Sequence, residues 1–154
     1  MTPPKPFRIM VAIDWSPQGT HALELAADIT ERVPHGELHV LHVVADASGA
    51  RANERAYMLR YEVSEVCDPR AVSSAHLYVR VGEAAREIID LVAEIGADMI
   101  VLGEHRADAL RTYFVKSISG RVTRAVSCPV VFAGPPQRTI AGERARAATS
   151  PTAS

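Results

Sequence analysis

A chain of 154 residues, 47% hydrophobic and 23% charged, is long enough to bury one core without disulfide staples and reads as a single globular domain. A formal net charge of −1 argues against nucleic acid or a membrane surface as partner, and no apolar run approaches the length of a bilayer span. Cys67 and Cys128 make no disulfide framework and the opening MTPPKPFRIM lacks the apolar stretch of a secretory signal, so a reduced, cytoplasmic protein is expected.

Phe7–Asp14 (FRIMVAID) is apolar at nearly every position, the pattern of a parallel strand covered on both faces. Ser16-Pro17 supplies a hydroxyl N-cap and a proline for the first helical turn. Ala22, Leu25, Ala26, Ile29 and Val33 then recur at helical spacing until Pro34 and Gly36. Leu38–Val44 (LHVLHVV) predicts a second strand, and Ala45–Gly49 a loop. A second helix is expected from Ala52, through Ala56, Leu59, Val63 and Val66, until Asp68-Pro69 stops it.

Ala75–Gly82 reads as a third strand, and Glu83 to Ile95 as a strong helix with Gly96 as its C-cap. Asp98–Gly103 predicts a fourth strand, Val115, Ile118, Val122 and Ala125 a fourth helix, and Pro129–Phe132 a fifth strand. Strict alternation of strands and helices argues for an α/β fold: one five-stranded parallel sheet with helices on both faces. Ligands of such sheets sit beyond the carboxyl ends of the strands, which places Asp14, Val43, Val44, Gly82 and Gly103 along one rim. Residues 1–5 read as an N-terminal tail, 6–134 as the domain, and 135–154, rich in Pro, Ala, Ser, Thr and Arg, as a disordered C-terminal tail.

The segments MVAIDWSP, LHVLHVV, VRVGEAAREIIDLVAEIGADMIVLGEH and SCPVVFAG, in this order, resemble the universal stress protein family. The likeness runs from about residue 6 to residue 133. It implies a Rossmann-like nucleotide-binding α/β fold, a cytoplasmic stress-response role and a homodimer formed along the last strand. Pro129, Val130, Val131 and Phe132 are therefore the expected interface, and an exposed apolar edge strand needs such a partner on physical grounds too.

ATP-binding members of the family resemble G-x-x-G, nine residues, then Gly followed by Ser or Thr. Laid on this chain from Gly103, the second glycine falls on Arg106 and the third on Lys116, with Ser117 after it. A glycine leaves backbone amides bare for a phosphate; Arg106 and Lys116 do not. ATP binding by the usual glycine route is disfavoured, and no cofactor is expected. Two readings of the loop stay open. Arg106, Arg111, Lys116, Arg121 and Arg124 outnumber Glu104 and Asp108, so Arg106 and Lys116 either grip the phosphates of ATP or another adenine nucleotide, or are merely solvated.

By the same resemblance, Asp14 stands where the family aspartate meets ribose and base; otherwise it organises the turn into Ser16-Pro17. Val43 and Val44 offer backbone groups to an adenine or simply pack the core, and Ser16 and Ser117 complete the candidate set. Trp15, at a position where the family commonly has a small residue, covers the rim or shields the turn. His42 reads as a hydrogen-bonded, half-buried histidine. His21, His35, His39, His76 and His105 show no spacing typical of a zinc site, and no metal is expected. Cys128 reads as buried and inert. No nucleophile elbow, Walker A sequence, dinucleotide fingerprint or H-x-G-H-type signature occurs, so no catalytic residue is named. A protein partner besides the second copy stays open.

Overall fold

The computed structural model describes residues 2–45, 49–104 and 117–134, with residues 49 and 50 described by their backbone alone. The elements are β1 (Phe7–Ile13), α1 (Pro17–Arg32), β2 (Gly36–Val44), α2 (Gly49–Val66), α3 (Pro69–Ser74), β3 (His76–Val81), α4 (Ala84–Ile95), β4 (Met99–Gly103), α5 (Ile118–Ala125) and β5 (Val130–Ala133). All four strand pairings are parallel, in the order β3-β2-β1-β4-β5. β1 pairs with β2 on one side and β4 on the other, so the strand order reverses between β1 and β4.

The period of two along β1 explains its unbroken apolar run. Ile9, Val11 and Ile13 enter the core beneath α1 and α2, while Met10 points into the opposite core under α4 and α5. Leu23, Leu59 and Val63 fill the first layer; Ile88, Leu91 and Val122 fill the second. β2 divides the same way, with Leu38 and Val40 on one face and Leu41 on the other.

Helix termini follow local chemistry. Ser16 Oγ accepts from the Gly19 amide at 3.0 Å, and Pro17 sits in the first turn of α1. Gly96 ends α4 in the left-handed region, at φ 62 and ψ 53, as a C-cap glycine should.

Two expectations need correction. α2 begins at Gly49, inside the segment expected to be loop. Asp68-Pro69 ends α2 but also starts α3, a helix absent from the sequence reading. Asp68 Oδ1 accepts from the Arg70 amide at 2.9 Å and Pro69 occupies the first turn, so one dipeptide serves as stop and start signal together. The 1–5 segment carries no helix or strand in residues 2–5, and 135–154 lies outside the described residues. No helix of the described residues is long and apolar enough to cross a membrane.

Candidate functional site

At the carboxyl ends of β1 and β4 a cleft of about 110 Å³ opens where the strand order reverses. Asp14, Gly19, Val43, Gly103, Ile118 and Ser119 are among its walls. Whole-ligand pockets usually run to ~300–1,000 Å³, so the described walls by themselves enclose room for a ring system.

Asp14 leaves the end of β1 and turns back on α1: its Oδ1 accepts from the Ser16 amide at 3.1 Å and from the Ser16 hydroxyl. Gly19 suits this closeness, since a Cβ there would stand 2.8 Å from Asp14 Oδ1 and 3.2 Å from the Asp14 amide nitrogen. Across the cleft, Ser117 caps α5 by accepting from the Gly120 amide at 3.1 Å. The amino ends of α1 and α5 thus face one rim, each contributing a partial positive charge. α4 starts nearby, with Ala84 and Ile88 in the cleft wall. Its cap is Glu83, whose carboxylate accepts from the Ala85 and Arg86 amides and pairs with Arg121 at 2.7 Å. The bond from Arg121 holds the Glu83 carboxyl below its ordinary range. Arg121, counted by sequence in the positive balance around the loop, forms an ion pair between α4 and α5.

Of the candidates read from sequence, Asp14, Val43 and Gly103 line the cleft. Ser16 does not; its hydroxyl is used within the α1 cap. Val44 does not either, and its carbonyl accepts from the Gly82 amide at 3.0 Å. Ser117 stands at the edge, with Ile118 and Ser119 forming the wall. Arg106 and Lys116 lie outside the described residues. Gly19, Ile118 and Ser119 were missed; the available signals were a glycine three residues after the Ser16 cap and the first turn following Ser117.

Trp15 turns away from the cleft. Its backbone is left-handed, at φ 63, a conformation costing a non-glycine residue about 1–2 kcal/mol. The indole Nε1–H donates to His42 Nε2 at 3.1 Å and the rings meet at 4.6 Å, which helps offset that cost. His42 Nδ1 in turn lies 2.9 Å from the Ile13 carbonyl, so the neutral ring with its proton on Nδ1 satisfies both partners. Burial pushes the His42 pKa below the ordinary imidazole value. At 7% exposed, His42 is more deeply buried than the half-buried residue expected.

Neither thiol offers a nucleophile: burial pushes Cys67 up to about 11 and also raises Cys128, which is only partly buried. Pro129 hands its carbonyl to the Ile100 amide at 2.9 Å, while Val130, Val131 and Phe132 belong to β5, an outer strand of the sheet, and stay partly exposed. β3 is the other outer strand. At the far rim from the cleft, strand register gathers Glu37, His39 and His76 with their ligating atoms within 4.8 Å of one another. Linear spacing of the histidines gave no sign of this group.

A doubly wound parallel sheet with a cleft at its switch point is the architecture of a Rossmann-like α/β protein. The model of the universal stress protein family matches residues 7–133, and the chain belongs to that family. Universal stress protein YxiE of Bacillus subtilis (strain 168) is 26% identical over 145 residues, covering 81% of this chain and 97% of that protein. A solved universal stress protein from Archaeoglobus fulgidus DSM 4304 superposes with a TM-score of 0.66 at 26% identity, over 85% of this chain; the match spans 45% of that longer chain. Another from Archaeoglobus fulgidus, in complex with dAMP, gives a TM-score of 0.61 at 22% identity, over 82% of this chain and 96% of that one.

Proposed function

We propose that this chain is a cytoplasmic, non-enzymatic regulatory member of the family. Its cleft would take the adenosine end of a nucleotide without a glycine cradle for the outer phosphates. The observation that supports this is the cleft itself, where the Asp14 carboxylate and Val43 meet beside Gly103. An aspartate at that point accepts hydrogen bonds from ribose hydroxyls, and the apolar wall suits a base. The Archaeoglobus fulgidus relative of the same fold is in complex with dAMP, which shares the adenine base and one phosphate with the ligand proposed here. Replacement of the second and third motif glycines by Arg106 and Lys116 removes bare backbone where β- and γ-phosphates would lie.

Calorimetry with AMP, cyclic AMP, ADP and ATP tests this. ATP is expected to bind no more tightly than AMP, and Asp14→Ala to abolish the heat. A second reading has Arg106 and Lys116 clamp the phosphates with side chains. In that case ATP would bind at least tenfold tighter than AMP, and the advantage would vanish in the Arg106→Ala, Lys116→Ala double variant.

Absence of turnover is supported by the raised thiols and by the Ser16 hydroxyl being held in the helix cap. ATP hydrolysis above the buffer rate, abolished by Asp14→Ala, would overturn it. Assembly as a homodimer through Pro129–Phe132 is supported by the position of β5 at the sheet edge with partly exposed valines. Light scattering on a sizing column is expected to give twice the chain mass. A monomer at about tens of micromolar would count against it, because interfaces of ordinary size hold together there.

A further inference from the structure

The start of β2 and the start of β3 form a second polar centre, at the opposite end of the sheet from the cleft. Glu37 and His39 are two residues apart on one strand, so they share a face. The β2–β3 register sets His76 directly beside His39, with the two rings stacked at 4.5 Å and nearly parallel. We propose that Glu37, His39 and His76 bind one divalent transition-metal ion, with zinc the best match and the fourth position open to solvent.

Metal–nitrogen and metal–oxygen bonds of ~2.0–2.2 Å put tetrahedral donors about 3.4 Å apart. His39 Nε2 and Glu37 Oε2 already stand 3.4 Å apart. The third donor lies within 4.8 Å of both, but imidazole lone pairs lie in the ring plane, so His76, which is exposed, must swing out of its stack on His39 into another staggered rotamer to complete the set.

The surroundings also fit. His39 Nδ1 lies 2.9 Å from the Tyr78 hydroxyl, the kind of outer contact that orients a ligating imidazole. Without metal, Nε2–H donates to Glu37 and the Tyr78 O–H donates to Nδ1. With metal, Nε2 gives its lone pair to the ion, the ring proton sits on Nδ1, and Tyr78 accepts it. Neutral His39 stays neutral, and no proton is lost. Arg8 Nε donates to Glu37 Oε2 at 3.2 Å and is the opposing charge. It weakens the site without filling it, because Arg8 is anchored from the other side by the Ile95 carbonyl at 2.9 Å. Two imidazoles and one carboxylate favour zinc, cobalt, nickel or copper over magnesium and calcium, which prefer all-oxygen sets. Bound metal would tie the outer strand β3 to β2.

The test is a cobalt(II) titration of the untagged full-length chain, read by visible absorption, followed by displacement with zinc. One ion per chain is expected, with excess magnesium without effect. His76→Ala should weaken binding at least tenfold and His21→Ala should leave it unchanged. Zinc should raise the thermal midpoint of the parent chain but not of the His76→Ala chain. Because His76 is exposed, that variant should keep the parent's circular dichroism. The proposal is overturned by a titration that does not saturate, by equal binding in the parent and His76→Ala chains, or by an equal loss in His21→Ala.

Discussion

Gly103→Ala is expected to lower the unfolding free energy by about 1–3 kcal/mol, with no nucleotide present. Urea unfolding at neutral pH measures it. A Cβ built on Gly103 would lie 2.8 Å from both the carbonyl carbon and the carbonyl oxygen of Gln18. These are backbone atoms in the first turn of α1, so no side-chain rotation relieves the clash. The helix start or the end of β4 must shift instead, and both line the cleft. Gly96→Ala is the control. Its Cβ would meet nothing nearer than Arg8 Nη1 at 3.9 Å, so only the left-handed backbone opposes it, at about 1–2 kcal/mol. Were Gly103 kept only to admit a phosphate, the ligand-free protein would tolerate alanine. An unfolding curve for Gly103→Ala that overlays the parent would show that.

This recasts the residue on which the sequence reading turned. Gly103 is the first glycine of the motif pattern, and bare backbone for a phosphate was the reason offered for such glycines. Its φ is not positive; what it supplies is closeness between β4 and α1. Such a requirement is invisible in a linear string, because Gln18 and Gly103 meet only through the sheet order. The same limit hid Glu37, His39 and His76, whose assembly depends on a cross-strand register that no spacing rule encodes. It hid the pairing of Arg121 with Glu83 as well. Legible features were those with a local cause. The unbroken apolar run of β1 reports burial on both faces, Ser16-Pro17 reports a helix start, and Gly96 reports a helix end. Asp68-Pro69 was half legible, since stop and start signals share the same residues. Asp14 and Val43 were found because strand ends at a switch point are predictable once alternation is recognised.

His42→Leu carries the second large effect, expected at about 1–3 kcal/mol for each buried polar group it strands. Leucine fills the space but leaves the Ile13 carbonyl without its donor and the Trp15 indole without its acceptor. Trp15 would then hold its left-handed backbone with no compensation, at the turn that leads Asp14 into the cleft. The same histidine makes stability depend on pH. Burial is the main force lowering its pKa; the nearby Arg55 charge acts the same way, while the Ile13 carbonyl and the Asp14 carboxylate oppose it. With the folded value below the unfolded one, near 6.5, the unfolded chain binds the extra proton more readily. Stability is therefore full above about pH 6.5 and falls as pH drops toward the folded value, at no more than about 1.4 kcal/mol per unit from this group. His39 is also lowered, first by burial, and adds loss of the same sign in the metal-free protein. Glu37, Glu83 and Asp98 are lowered too, but their losses begin only near pH 4, where carboxylates titrate. Between pH 7.5 and 5.5 the parent chain should thus lose stability, and His42→Leu should lose less of it from a lower start. Trp15 is the sole tryptophan, so its emission reports the broken bond to His42 directly. If the two chains showed parallel losses over that range, His42 would not be the group that titrates.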